Sequence, residues 1–165
     1  MRRLGILRLI ALVVAGLIAA AATAAEDEIA RLTREVEAVH DAMEKAAIAG
    51  DYETVLSYLT EDVVLCADTR QPQRGKAAVR AVYRENEKEE VKIHSISSTI
   101  EALWTCGDRI YLRGTFGQSG SSKKHPAPIA IHGSYFEICR RLPDGRHLVE
   151  YNIWNLGFNP FEGGQ

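Results

Sequence analysis

Residues 129–155 read IAIHGSYFEICRRLPDGRHLVEYNIWN, with two alternating segments on either side of Pro143-Asp144-Gly145. Proline, aspartate and glycine in succession are typical of a tight turn. The flanking segments are rich in β-branched and aromatic residues, which favour strands. This stretch therefore predicts an antiparallel hairpin against which the rest of the chain packs.

Alternation divides each strand of the hairpin into two faces. One face mixes charged, amide and aromatic groups, so we expect it to form the wall of a polar pocket. It carries Gly133, Tyr135, Glu137, Glu150, Asn152 and Trp154. The opposite face is mostly apolar and needs covering. It carries Phe136, Ile138, Val149, Tyr151 and Ile153.

The N-terminal segment is typical of a secretory signal peptide. Three arginines precede an apolar run from Leu9 to Ala22, which ends in small residues. The alternative is an uncleaved anchor, but the run is shorter than the roughly 20 residues of a spanning helix. We expect residues 1–25 to be a signal peptide, residues 26–158 to be one domain and residues 159–165 to be a tail. The protein would then be secreted or periplasmic, without stable membrane association.

The charge balance argues against nucleic acid as a partner. The chain carries 20 basic and 22 acidic residues, and losing the three N-terminal arginines takes the net charge from −2 to −5. No basic run is present to hold phosphates.

The three cysteines allow two interpretations. Cys106 and Cys139 would come close enough to bridge if residues 109–118 pair with residues 131–140, or all three cysteines are small core residues. No C-x-x-C or Cys/His cluster occurs, so we expect no structural zinc site. We also expect no other metal and no cofactor.

Helices come first in the chain and strands come last. Apolar residues at helical spacing predict a helix over residues 26–50, a short helix capped by Asp51, and a third helix over 76–90. Strands are predicted over 62–66, 92–104 and 109–117, followed by a polar loop over 118–128. This order indicates an α+β domain with a mainly antiparallel sheet.

These elements resemble the NTF2-like superfamily, within it the SnoaL-like and ketosteroid-isomerase-like (DUF4440-type) branch. The resemblance rests on Ala49-Gly50-Asp51, on residues 58–64 (YLTEDVV), on residues 74–79 (RGKAAV), and on Asp144-Gly145-Arg146 before a strand with Trp154. It implies a cone of three N-terminal helices packed on a curved mixed sheet. The fold hosts isomerases, cyclases, hydrolases and non-catalytic modules, so it implies no single activity.

The isomerase residues of that branch map only in part onto this chain. The catalytic tyrosine falls at Met43, and the general-base aspartate falls at Ala67, with Asp68 one place further on. The oxyanion-hole carboxylic acid falls at Glu137 and the pocket tryptophan at Trp154. The resemblance therefore does not imply steroid isomerisation.

Glu137 is the leading candidate for chemistry, since a buried carboxyl tends towards a raised pKa. Its alternative role is an ion pair with Arg113, which we place beside Tyr111 on the inward face of the neighbouring strand. Glu137, Arg113 and Glu150 would together resemble the Asp-Arg-Asp set of epoxide-hydrolase-like relatives. The remaining candidate pocket residues are His40, Met43, Tyr83, Tyr111, Tyr135, Asn152 and Trp154, with Asp68 as a further candidate base.

Three functions stay open at this point. The first is a protein that binds a small apolar or amphipathic molecule in the cone. The second is a cofactor-independent isomerase, cyclase or hydrolase in the same cavity, and the third is a protein-interaction module. An apolar outer sheet face also predicts a homodimer. This outer face would comprise Leu112, Phe116, Phe136, Ile138, Tyr151 and Ile153.

Overall fold

The computed structural model describes residues 2–67 and 70–157, with side chains from residue 23 onward. Two compact units divide the chain, Met1–Glu35 and Val36–Gln165. The first unit is helical and includes an Arg31–Glu35 ion pair of 2.6 Å. Its helix begins at Arg2, well before the predicted residue 26. Within the described part of the chain, no helix is both long and apolar enough to cross a membrane.

The second unit contains the end of helix α1 (Arg2–Ala49), helices α2 (Tyr52–Ser57) and α3 (Lys76–Lys88), and one mixed sheet. The strands are β1 (Leu59–Ala67), β2 (Gln73–Arg74), β3 (Lys92–Cys106), β4 (Arg109–Ser121), β5 (Ile129–Arg141) and β6 (His147–Leu156). Their order is β2-β1-β6-β5-β4-β3, and only β1 and β6 pair in parallel. The α+β class is confirmed.

Local sequence explains most of the element ends. The Asp51 side chain accepts a hydrogen bond from the Thr54 backbone N–H and so caps α2, as predicted. Gly145 has a φ of +85° in the turn between β5 and β6, a conformation that glycine adopts without strain. The predicted hairpin therefore forms where its turn residues stand.

Pairing between strands moves three boundaries away from the sequence prediction. β1 begins at Leu59 rather than residue 62, and the short β2 lies between β1 and α3, where the sequence predicted no strand. β4 runs to Ser121, so the predicted loop over 118–128 is shorter. Lys92 of β3 pairs with Ser121, and this partner stabilises a polar segment that has weak strand propensity of its own.

One face of the sheet, which we call the inner face, holds the core. Ile110 and Leu112 of β4 lie across from Cys139 and Glu137 of β5, and all four are buried. Tyr135 belongs to the same face. Side chains from the end of α1 reach this face from β3 to β5. The apolar core of the second unit comprises Val36, Val55, Leu56, Leu59, Val63, Val79, Ile110, Leu112 and Val149.

The opposite, outer face carries an aromatic group on β3, β4 and β5. Trp104 stacks on Tyr111 and lies 6.1 Å from the Phe136 ring, centroid to centroid. Trp104 and Ile153 each expose 43% of their surface. Leu112 and Phe116, which were predicted on this face, lie on the inner face instead, since they pair with Glu137 and Gly133.

Candidate functional site

A histidine from α1 and a glutamate from β5 form a buried pair on the inner face. His40 Nε2 lies 2.9 Å from Glu137 Oε1, although 97 positions separate the two residues. Glu137 exposes only 4% of its surface, and His40 is buried as well. A buried carboxylate is costly unless it is paired, so this contact is what lets Glu137 lie here ionised.

The pair belongs to a longer network of hydrogen bonds. Ser98 Oγ lies 3.3 Å from His40 Nδ1 and donates to Glu44 Oε1 at 2.6 Å. At the other end, Asn152 Nδ2 donates to Glu137 Oε2 at 2.6 Å. We call these five residues the inner network: Glu44, Ser98, His40, Glu137 and Asn152. Glu44, Ser98 and Asn152 are half-buried, so both ends of the inner network reach accessible space.

The donors and acceptors of the inner network specify where its protons lie. Ser98 gives its one hydroxyl proton to Glu44, so it accepts from His40 Nδ1–H. Glu137 also accepts from Asn152 and from the Cys139 thiol, at 3.3 Å, as an ionised carboxylate does. With Glu137 ionised, its carboxylate would accept from Nε2–H as well, and His40 would then be a doubly protonated imidazolium.

The charges of the pair support each other. Burial alone lowers the pKa of His40, but the hydrogen bond and charge of Glu137, with the charges of Glu44 and Asp41, outweigh it and raise that pKa above 6.5. Burial likewise raises the pKa of Glu137. The contact with His40 and the hydrogen bonds from Asn152 and Cys139 outweigh that effect and lower the Glu137 pKa. The predicted raised pKa of Glu137 is wrong, because the sequence did not supply its partner.

Tyr135 lies beside the inner network with an unpaired hydroxyl. Its ring meets the His40 ring edge-on, with centroids 6.0 Å apart. The residue is only 7% exposed, and its buried hydroxyl has no hydrogen-bond partner. Burial raises the pKa of Tyr135, and the charges of Glu137 and Glu44 raise it further. The hydroxyl is therefore an unused donor and acceptor next to fixed negative charge.

Two further predicted residues lie near the inner network. Met43 follows His40 by one helical turn on α1 and is half-buried. Trp154 pairs with Tyr135 across the β5–β6 ladder, two positions from Asn152, so it shares the inner face. Together with the network they place charge, amide and aromatic groups on one face, as the hairpin sequence predicted.

The placement of Arg113 and Tyr111 was wrong, because β4 has the opposite face orientation to the one predicted. Arg113 lies across from Phe136 on the outer face, where its side chain is 58% exposed and forms an ion pair with Glu101. Tyr111 lies on the same outer face against Trp104. A shift of one residue exchanges the two faces of a strand, so every side chain of β4 moved together.

Glu150 is also absent from the inner network. Ile138 pairs with Tyr151 and Cys139 pairs with Val149, which leaves Glu150 as an extra residue in a β-bulge. The bulge directs it to Arg109 and Arg140, with which it forms ion pairs. The predicted Glu137–Arg113–Glu150 cluster therefore does not form.

The remaining predicted residues lie elsewhere. Tyr83 stacks on Tyr52 between α3 and α2, with ring centroids 4.4 Å apart, and burial raises its pKa to about 12. Asp68 lies outside the described residues. Cys106 and Cys139 are free. They occupy β3 and β5 with β4 between them, so their backbones are roughly 10 Å apart, beyond the reach of a disulfide.

Two residues of the inner network, Glu44 and Ser98, were missed. Glu44 follows His40 by four positions and so shares its helix face, a signal that the sequence did offer. Ser98 is one of several hydroxyl residues on β3, and nothing local marks it out. On the outer face, an open hollow of about 400 Å³ is lined by Glu101, Arg113, Phe136 and Ile153, among others.

Comparison with known proteins agrees with this architecture. The family model described as a SnoaL-like domain matches residues 36–148, which is more than half of the chain. None of the functionally curated proteins matches this chain.

Several solved structures share the fold at low sequence identity. A conserved protein from Planctomyces limnophilus is 22% identical, with a TM-score of 0.66 over 74% of this chain and 93% of the other. A ketosteroid isomerase-like protein from Erwinia carotovora atroseptica is 18% identical, with a TM-score of 0.66 over 77% and 97%. ActVI-ORFA from Streptomyces coelicolor is 15% identical, with a TM-score of 0.64 over 76% and 97%. The fold is thus the predicted NTF2-like one, and the chain belongs to the SnoaL-like domain family.

Proposed function

We propose that the protein binds a small amphipathic molecule on the inner face, with the polar group of the ligand at Tyr135 and the inner network. The unpaired Tyr135 hydroxyl is the observation that carries this proposal. A buried hydroxyl without a partner costs about 1–3 kcal/mol. A ligand oxygen or nitrogen that bonded to it would recover that cost, whereas a purely structural interior would have no use for it.

The neighbouring groups support binding rather than simple packing. His40 and Glu137 are held by Ser98, Asn152 and Cys139, so their orientation is fixed before any ligand arrives. Pre-organised polar groups beside apolar side chains are the usual composition of a small-molecule site. Half-buried Met43 supplies apolar surface one helical turn from His40.

Thermal shift tests this proposal on the purified protein. A ligand that binds the folded state raises the melting temperature by mass action. Among small apolar and amphipathic metabolites, we expect at least one to raise it. Tyr135→Phe should abolish that rise without lowering the melting temperature of the free protein, since the lost hydroxyl has no partner.

Tyr83→Phe is the matched control, because it removes the hydroxyl of a half-buried tyrosine of α3 that stacks on Tyr52 of α2. It should leave the ligand-induced shift unchanged. The proposal fails if no compound shifts the melting temperature, or if Tyr135→Phe keeps the full shift. If no compound binds but a protein partner does, the result would instead support the hypothesis of a protein-interaction module.

A second candidate function is catalysis without a cofactor, by an isomerase, cyclase or hydrolase. One observation favours it: Glu44, Ser98, His40 and Glu137 form an unbroken chain of hydrogen bonds from half-buried Glu44 to buried Glu137. Such a chain can pass a proton to and from a bound molecule. Deuterium uptake from solvent at an acidic carbon of a bound ketone would test it, and Ser98→Ala should slow that uptake.

Export and pairing of two copies complete the proposal. The signal-like residues 1–25 support secretion, which N-terminal sequencing of the secreted protein would test. The exposed aromatic group of the outer face supports a homodimer. Light scattering should give a particle mass of twice the chain mass, and Ile153→Lys should reduce that mass to the mass of a single chain. A monomeric wild-type protein would contradict the homodimer.

A further inference from the structure

The charges of the inner network do not cancel. His40 contributes one positive charge, while Glu137 and Glu44 contribute two negative ones. His40 and Glu137 neutralise each other at 2.9 Å. Glu44 is left with only the neutral Ser98 hydroxyl. We propose that this surplus carboxylate selects ligands with a protonated amine, an inference that rests on inner-face binding.

No cation of the described chain offsets Glu44. Within the described residues, no lysine or arginine pairs with it, and Asp41, one turn before it on α1, adds negative charge around His40. Arg113 is the cation that the sequence placed in the pocket, but it lies on the outer face with Glu101. An anionic ligand would therefore meet like charge at Glu44, which disfavours its binding.

Tyr135 points to the same ligand chemistry. Its hydroxyl is unpaired and lies in the negative potential of Glu137 and Glu44. An ammonium group has three N–H donors, and the Tyr135 oxygen and a carboxylate both accept such donors. An ammonium that bonded to the Tyr135 oxygen would satisfy the tyrosine and bring positive charge into the field of Glu44. A carboxylate could bond only to the tyrosine.

The apolar part of the ligand has a place as well. Met43, which is half-buried, lies beside Glu44 on α1. Trp154 is on the same face of β6. A ligand that combines an ammonium head with a short apolar or aromatic body fits both the charge and the surroundings.

Three probes of equal size test the selectivity: 3-phenylpropylamine, 3-phenylpropanol and 3-phenylpropanoate, each titrated calorimetrically into the full-length protein at pH 7. We expect the amine to bind at least tenfold more tightly than the alcohol and the carboxylate to bind most weakly. Glu44→Gln should lower the affinity for the amine to within twofold of the affinity for the alcohol, and it should leave the affinity for the alcohol unchanged.

Glu53→Gln is the control, since it removes an exposed carboxylate of α2 and should leave the order of the three probes unchanged. If none of the probes binds, inner-face binding itself is overturned. If the alcohol binds and the carboxylate binds as tightly as the amine or more tightly, inner-face binding is supported and the proposed charge selectivity is wrong. If the amine preference survives Glu44→Gln, Glu44 is not its source. If Glu44→Gln fails to fold, the order of the three probes on the unchanged protein still decides.

Discussion

Breaking the His40–Glu137 pair from each side should have unequal effects on stability. His40→Leu leaves a carboxylate that is 4% exposed without its counter-ion, and such a change costs about 3–5 kcal/mol. Glu137→Gln is milder, at about 1.5 kcal/mol, because His40 can then release its proton and the new amide oxygen can still accept from Asn152. The larger loss should therefore follow removal of the histidine.

The double variant tests whether the pair acts as a unit. His40→Leu with Glu137→Gln removes both charges, so we expect it to be about 2 kcal/mol more stable than His40→Leu alone. Urea unfolding at pH 5.5 measures the four free energies of unfolding. Glu101→Gln, an acid of the outer face, serves as a control that should not couple to His40→Leu. Additive losses in the His40–Glu137 cycle would refute the reasoning.

Three further predictions concern the pair and its surroundings. Because the pKa of His40 is raised on folding, the contribution of His40 to the free energy of unfolding is present below pH 6.5 and is lost as pH rises through its folded-state pKa. Because the pKa of Glu137 is lowered on folding, the contribution of Glu137 is present above pH 4.5 and is lost as pH falls through its folded-state pKa. The stability difference between wild type and the double variant should therefore be greatest between pH 4.5 and 6.5, and urea midpoints that keep it constant from pH 3 to 9 would contradict this. Arg113→Ala should lower the free energy of unfolding by no more than about 1 kcal/mol, since its ion pair is exposed, and a larger loss would place Arg113 in the core. Gly133→Ala should destabilise the protein by at least about 2 kcal/mol, because a Cβ there would lie 1.9 Å from the Asn155 carbonyl oxygen. Gly117→Ala is the control and should change stability little, because a Cβ there has no contact under 3.8 Å. Equal melting temperatures for the two variants would refute this prediction.

Local patterns were enough to predict the helices and the hairpin. The Asp51 cap, the turn at Gly145 and the alternation of β5 each depend on a few adjacent residues, and each is where the sequence put it. The inner face of β5 followed from the same alternation. These features were predictable because short-range geometry determines them.

The candidate site was only partly predictable because it depends on long-range pairing. His40 and Glu137 are 97 positions apart, and no local pattern joins them. For β4, the apolar Ile110 and Leu112 would have given the correct inner face had burial been weighed above polarity. Glu150 moved because one extra residue in β6 reverses the alternation, and a bulge leaves no clear mark in the sequence.

Nitrogen NMR of the His40 side chain tests the central claim most directly. Uniformly ¹⁵N-labelled protein at pH 6.5, with His40→Gln to assign its signals among the five histidines, shows whether each ring nitrogen carries a proton. The structure predicts two protonated nitrogens, one bonded to Glu137 and one to Ser98. A neutral ring at that pH, with one bare nitrogen, would contradict the ion pair on which the proposed site depends.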